Sequence, residues 1–210
     1  MAIVTALRPT RREGRVSVYV DGHFLAAVGE SFVVRHGLFV GLELTGEQLA
    51  GLRDDAGADR ILADAYRLLA HRSRARAELA ARLRAKGHGE PAIQTVLDRL
   101  GGEGLVDDQA FAAAFAADKR RLAGWGAGRI ARELDRLGVD VAVVQAVLPQ
   151  SDEAADDELA RARAALERRG PARPPLEPAR KRAFEFLVRR GYSTTVAYRT
   201  VHEWSAGATD

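Results

Sequence analysis

The pattern of apolar and polar positions divides the chain into two regimes. Over residues 1–45 the apolar residues come in short β-branched runs, Ile3 to Leu7 and Val16 to Val20, separated by the polar segment Pro9-Thr10-Arg11-Arg12-Glu13-Gly14. Asp21-Gly22 then lies between Val16–Val20 and Phe24–Val28, and an Asp-Gly pair flanked by strand formers predicts a hairpin because both residues tolerate positive φ. About three strands are expected, followed by a short helix that leaves Gly29-Glu30-Ser31 and stops at Gly37. From about residue 46 the period becomes helical. Thr45 is placed to cap a helix running through Leu52, and Asp54 to Asp59 reads as a polar connector. Ile61, Leu62, Ala65, Leu68 and Leu69 form one helical face. Ser73 is placed to cap the next helix, with Leu79, Ala80 and Leu83 as its apolar positions and Lys86-Gly87 as its stop. Pro91 opens another, whose stripe is Ile93, Val96, Leu97 and Leu100 and which Gly101-Gly102-Glu103-Gly104 breaks.

An internal repeat organises the helical part. Gly87, Gly138 and Gly191 are 51 and 53 residues apart. Leu83, Leu134 and Leu187 stand four residues before them. Ile93, Val144 and Ala197 stand six after, and Leu97, Leu148 and Val201 ten after. Each unit reads as a helix, a glycine stop and a second helix folding back, with further helices over 108–122 and 152–169. The expected organisation is mainly α: a small β-rich N-terminal extension (1–45) and three tandem three-helix modules (46–103 with a lead-in helix, 104–151 and 152–210). Modules this small bury their faces by leaning on neighbours. Four prolines between Pro171 and Pro178 predict a semi-rigid joint in the third module.

Composition narrows the function classes. Of 210 residues 47% are hydrophobic and none is cysteine, which removes disulfides, thiolate metal sites and thiol nucleophiles, and fits a cytoplasmic location. The N-terminus does not read as a signal peptide, and no apolar run approaches the ~20 residues of a membrane helix. A net charge of +3 hides alternating patches: eight Arg/Lys against three acids over 60–90, ten against three over 161–191, and an acidic block of Asp152, Glu153, Asp156, Asp157 and Glu158.

No catalytic constellation emerges. The five histidines (His23, His36, His71, His88, His202) lack metal-ligand spacing, and the glycine clusters lack the Gly-Lys-Ser/Thr of a phosphate loop. Asp107-Asp108 precedes Phe111 and Phe115, as helix-capping acids do. No metal, no cofactor and no enzymatic activity are expected. The arginine-rich helices suit phosphates, or carboxylates on a protein partner, or are solvated faces. A helix-turn-helix over Leu79–Leu97 is disfavoured because its second helix offers only Gln94, Asp98 and Arg99 to bases. Trp125 in Gly124-Trp125-Gly126 reads either as an anchor for a partner or as a plug between modules. Trp204 and Phe186 fall at core positions of the third repeat.

These motifs resemble the RecX family, modulators of the RecA recombinase. The resemblance rests on Tyr66 to Leu79 (YRLLAHRSRARAEL) with Leu83 and Lys86-Gly87, and on Gly104 to Ala112 (GLVDDQAFA). It continues through Gly124-Trp125-Gly126, Arg129 to Val139 (RIARELDRLGV) and Phe186 to Ser193 (FLVRRGYS). It covers residues 56–204. Arg74-Ala75 stands where the family pattern has Arg-Ser, and Tyr192 where phenylalanine is commoner. The resemblance implies an elongated, curved, monomeric body that binds RecA–DNA filaments in DNA repair, the SOS response and homologous recombination, with single- or double-stranded DNA as a further partner and no membrane association. The contact surface is expected at Arg72, Arg74, Arg76, Arg82 and Arg84 of the first module and at Arg182, Arg189 and Arg190 of the third. Lys119, Arg120, Arg121, Trp125 and Arg129 are expected to contribute from the second. The competing reading is a helical protein acting mainly through DNA.

Overall fold

The structure, a computed structural model, describes residues 1–148, 152–169 and 177–206. The chain separates into two units, one of residues 1–73 and 79–106, the other of residues 74–78 and 107–210.

In the first unit, β1 (Ala2–Pro9), β2 (Arg15–Val20), β3 (His23–Gly29) and β4 (Glu43–Leu44) form an antiparallel sheet in the order β3-β2-β1-β4. Asp21 and Gly22, with φ of 50° and 78°, make the tight turn their residue types predict. The Asp21 carboxylate also accepts the Ile3 N–H at 2.8 Å. Three strands were expected. The fourth is two residues long, too short to show an alternation, and exists because Leu44 pairs with Ala2 and is buried. Helix α1 (Glu30–Arg35) ends before Gly37 as predicted.

Helix α2 (Gly46–His71) overturns the expected connector. It runs unbroken for 26 residues from a Thr45–Gln48 capping box, through Asp54–Asp59. No proline interrupts it, and tertiary contacts outweigh the low propensity of its glycines and aspartates. Leu52 and Ala56 complete the core of the sheet with Val4, Val18, Val28 and Phe32. One further turn along, Ile61 and Ala65 enter a second core with Leu79, Leu83, Ile93, Leu97 and Leu100. Those residues come from α3 (Arg76–Ala85) and α4 (Glu90–Gly102). The polar segment is helical because it bridges two cores. Asp59 accepts the Gly29 N–H at 3.1 Å, tying α2 to the end of β3.

In the second unit, α5 (Asp108–Ala123), α6 (Ala127–Arg136) and α7 (Val141–Val147) enclose Phe111, Ala112, Ile130, Leu134 and Val144, with Ala75 fully buried among them. Helices α8 (Asp152–Glu167), α9 (Glu177–Arg189) and α10 (Thr194–Ala206) enclose Ala162, Leu166, Leu187, Tyr192, Ala197 and Val201, with Phe186 and Trp204 packed against them. Of the proline joint predicted over Pro171–Pro178, residues 171–176 lie outside the described residues, and Pro178 belongs to the first turn of α9.

The repeat is visible in the backbone. Gly87, Gly138 and Gly191 have φ of 86°, 76° and 88°, and the next residue donates each time to the repeat leucine: His88 to Leu83, Val139 to Leu134, Tyr192 to Leu187. This is a glycine C-cap used three times. Leu83, Leu134 and Leu187 are fully buried, as are Ile93 and Ala197.

The acidic pair divides its work. Asp107 caps α5, accepting the N–H groups of Gln109 and Ala110, whereas Asp108 accepts the Arg76 N–H at 2.7 Å and so serves the start of α3. The expected Ser73 cap is therefore not where α3 begins. A methyl at Ala75 fits the core there, and the donor is satisfied from Asp108.

Candidate partner-binding surface

The arginines singled out from the sequence sort into structural and exposed groups. Arg74 is only 9% exposed and is ion-paired to Glu78 one helical turn on, so its charge is committed inside the protein. Arg72 is exposed at the end of α2 and donates to the Ser73 carbonyl at 3.0 Å. Arg76 is half-buried, its N–H held by Asp108. On α3, Arg82 is exposed without an ion pair among the described residues, whereas Arg84 donates Nε and Nη2 to one oxygen of Glu90 at 3.0 and 2.7 Å.

At the foot of α3, Asp64 of α2 is a buried carboxylate that gathers one imidazole and two cations. His88 Nε2 lies at 2.9 Å, Arg67 at 2.8 Å and Lys86 at 3.4 Å. Burial opposes its ionisation, but the His88 hydrogen bond and the two charges outweigh that and hold its carboxyl below the usual aspartate value. This cluster seats the glycine stop at Lys86-Gly87 against α2, a role for His88 and Lys86 that their loop-like sequence does not reveal.

In the second unit Trp125 is half-buried between two cations: the Arg129 guanidinium lies 4.0 Å from its ring centroid and Lys119 Nζ 5.1 Å away. Phe115 meets its edge. The stack with Phe115, Lys119 and Arg129 packs Trp125 against the core of its own module. Its loop also locks two helix pairs together. Gly126 N–H donates to the Arg190 carbonyl at 2.8 Å and Gly128 N–H to the Gly191 carbonyl at 3.0 Å. Arg190 donates to the Ala123 carbonyl and lies 4.6 Å over Phe186. Arg190 is thus half-buried and clamps this loop.

The remaining cations split between two faces. Arg120 and Arg121 of α5 and Arg161 and Arg168 of α8 line an open groove of about 840 Å³. There burial, then the nearby Arg161, lowers the pKa of the half-buried Arg120. Arg161 and Arg168 were missed as individual candidates, although their seven-residue spacing already placed them on one helical face. Arg121 is salt-bridged to Asp118 at 3.0 Å. On α9, Arg182 is exposed with no ion pair among the described residues, and Arg189, two turns on, is exposed and 3.7 Å from Glu185. The structure thus brings Lys119, Trp125 and Arg129 into one stack and sets Arg120 and Arg121 in another groove.

Among the described residues no group of His, Asp and Glu converges as a metal site, and no helix is long and apolar enough to cross a membrane. Fold and surface together define the class: tandem helix–glycine–helix modules with arginine-rich faces, joined to a small β-sheet.

Comparison with known proteins agrees. Residues 62–100 match the family description "RecX, first three-helix domain", and residues 107–148 match "RecX, second three-helix domain". Regulatory protein RecX of Mycobacterium sp. (strain KMS) is 38% identical over 145 residues, covering 67% of this chain and 79% of that protein. The protein of the same name from Thermobifida fusca (strain YX) is 37% identical over 148 residues, covering 69% and 78%. A crystal structure of regulatory protein RecX superimposes with a TM-score of 0.71 at 21% identity, over 97% of this chain and 100% of that one. RecX from Lactobacillus salivarius gives 0.61 at 16% identity, over 71% and 97%. The chain belongs to the RecX family of regulatory proteins.

Proposed function

We propose that this chain is a regulator of RecA that binds RecA–DNA filaments and inhibits or modulates their ATP hydrolysis, strand exchange and co-protease activity. The observation that carries the reading is its 38% identity, over 145 residues, to a protein named for regulation in this family. It acts by binding, as a cytoplasmic monomer without cofactor or catalytic residues, and its modules span 46–103, 104–151 and 152–210. The contact residues are the exposed cations: Arg82, with Arg72 and Arg84, on the first module, and Arg182 and Arg189 on the third. Arg120 and Arg121 add a second face.

The groove where Arg120, Arg121, Arg161 and Arg168 meet favours a second reading, in which DNA alone brings the protein to filaments, because four arginines at one site attract phosphate even with Arg121 and Arg161 paired to Asp118 and Asp157. Binding to RecA–single-stranded DNA filament and to the same bare DNA, compared across a salt series, separates the two. The filament reading expects at least tenfold tighter binding to filament and a shallower salt slope. Equal affinities and equal slopes would replace it with the DNA reading.

A further inference from the structure

Within the first unit, a cleft of about 860 Å³ is lined on one side by the β1–β2 turn and β3 and on the other by α2. Arg53, Arg60 and Arg67 of α2 line it at seven-residue intervals, which puts them on one helical face in steps of roughly 10 Å. Between them the wall is low, because Ala56 and Gly57 carry almost no side chain. Arg11, Arg12 and Arg15 face them from the turn and β2, and Lys86 stands at one end.

Few acids answer these charges. Asp64 is shared among His88, Arg67 and Lys86, and Asp59 is held by the Gly29 N–H and Arg15. Arg11, Arg12, Arg53 and Arg60 are all exposed, and their guanidinium groups form no ion pair among the described residues. Leu25, Ala26 and Ala27 contribute an apolar strip, and beside them Phe24 is 58% exposed.

We propose that this cleft binds one strand of nucleic acid, its phosphates on the α2 arginines and on Arg11 and Arg12, and a base against Phe24. Cations repeated at a fixed interval along a helix fit a repeating polyanion better than a single anion. An exposed ring beside a basic track is the combination that holds unpaired bases without sequence preference. A duplex keeps its bases stacked on each other and leaves Phe24 nothing to stack on. An acidic protein segment would use the arginines but not the ring. The site lies outside every residue assigned above to filament contact, so it stands or falls independently of the filament reading.

The test is binding of the full-length chain to a fluorescent oligothymidylate across a salt series, without RecA. Arg53→Gln with Arg60→Gln is expected to weaken binding at least tenfold at low salt, and to reduce the slope of log K against log salt by about 1.4, two contacts at about 0.7 each. Phe24→Ala is expected to weaken binding about fivefold or more with the slope unchanged. Arg35→Gln with Arg136→Gln makes the same change of net charge outside the cleft and is expected to have little effect. Circular dichroism reports whether each variant folds. Failure of the wild-type chain to bind, or equal losses for the two arginine pairs, would overturn the proposal. Polyglutamate bound as tightly as oligothymidylate, with Phe24→Ala neutral toward both, would give the cleft to an acidic protein segment instead.

Discussion

Gly191→Ala is expected to destabilise the second unit by about 3 kcal/mol or more, while Gly87→Ala costs about 1 kcal/mol. Both glycines close the same turn at nearly the same φ, so the left-handed penalty is common to the two. Their surroundings differ. A Cβ at Gly87 meets nothing within 4 Å, whereas one at Gly191 collides with the backbone and Cβ of Arg129 at the start of α6. Relieving that collision separates Gly191 from the Gly126–Arg129 segment. It thereby endangers the Gly126-to-Arg190 and Gly128-to-Gly191 hydrogen bonds, each worth about 1 kcal/mol. Thermal denaturation should lower Tm by roughly 10 °C for Gly191→Ala and by only about 3 °C for Gly87→Ala. Hydrogen exchange should accelerate at the Gly126 and Gly128 amides in the first variant alone. Equal losses for the two substitutions would mean that the close approach contributes nothing.

Reversing charge at Arg82 and Arg182 together is expected to weaken filament binding more than tenfold and leave Tm within about 2 °C, because both side chains are exposed and neither holds an ion pair among the described residues. Arg74→Ala should behave in the opposite way. It removes a buried guanidinium that is ion-paired to the half-buried Glu78, a change that costs about 2 kcal/mol and appears as a lowered Tm. Filament affinity of the folded Arg74→Ala chain should stay within about threefold of wild type. Unchanged binding for the Arg82/Arg182 variant would remove those two positions from the contact surface.

The repeat was legible because a glycine forced to positive φ and a leucine four residues earlier are chemical necessities of one turn, and both recur three times. The hairpin was legible for the same reason at Asp21-Gly22. The continuity of α2 was not, since Asp54–Asp59 looks like a connector until the two cores that Leu52, Ala56, Ile61 and Ala65 enter are known. β4 escaped because two residues carry no period. At the candidate surface, counting arginines could not separate Arg74, which is buried, or Arg190, which clamps a loop, from the exposed Arg82 and Arg182. That distinction depends on partners distant in sequence, such as Ala123 for Arg190. The cleft arginines Arg53, Arg60 and Arg67 did have a signal, their seven-residue interval, but it was hidden by reading their helix as two.

The central claim is most directly tested by the rate of ATP hydrolysis of a RecA–single-stranded DNA filament as the protein is titrated in. The account predicts a fall, and a fall complete well below one protein per RecA subunit would point to capping of filament ends or net disassembly. An unchanged rate at saturating protein, alongside tight binding to bare DNA, would contradict the account.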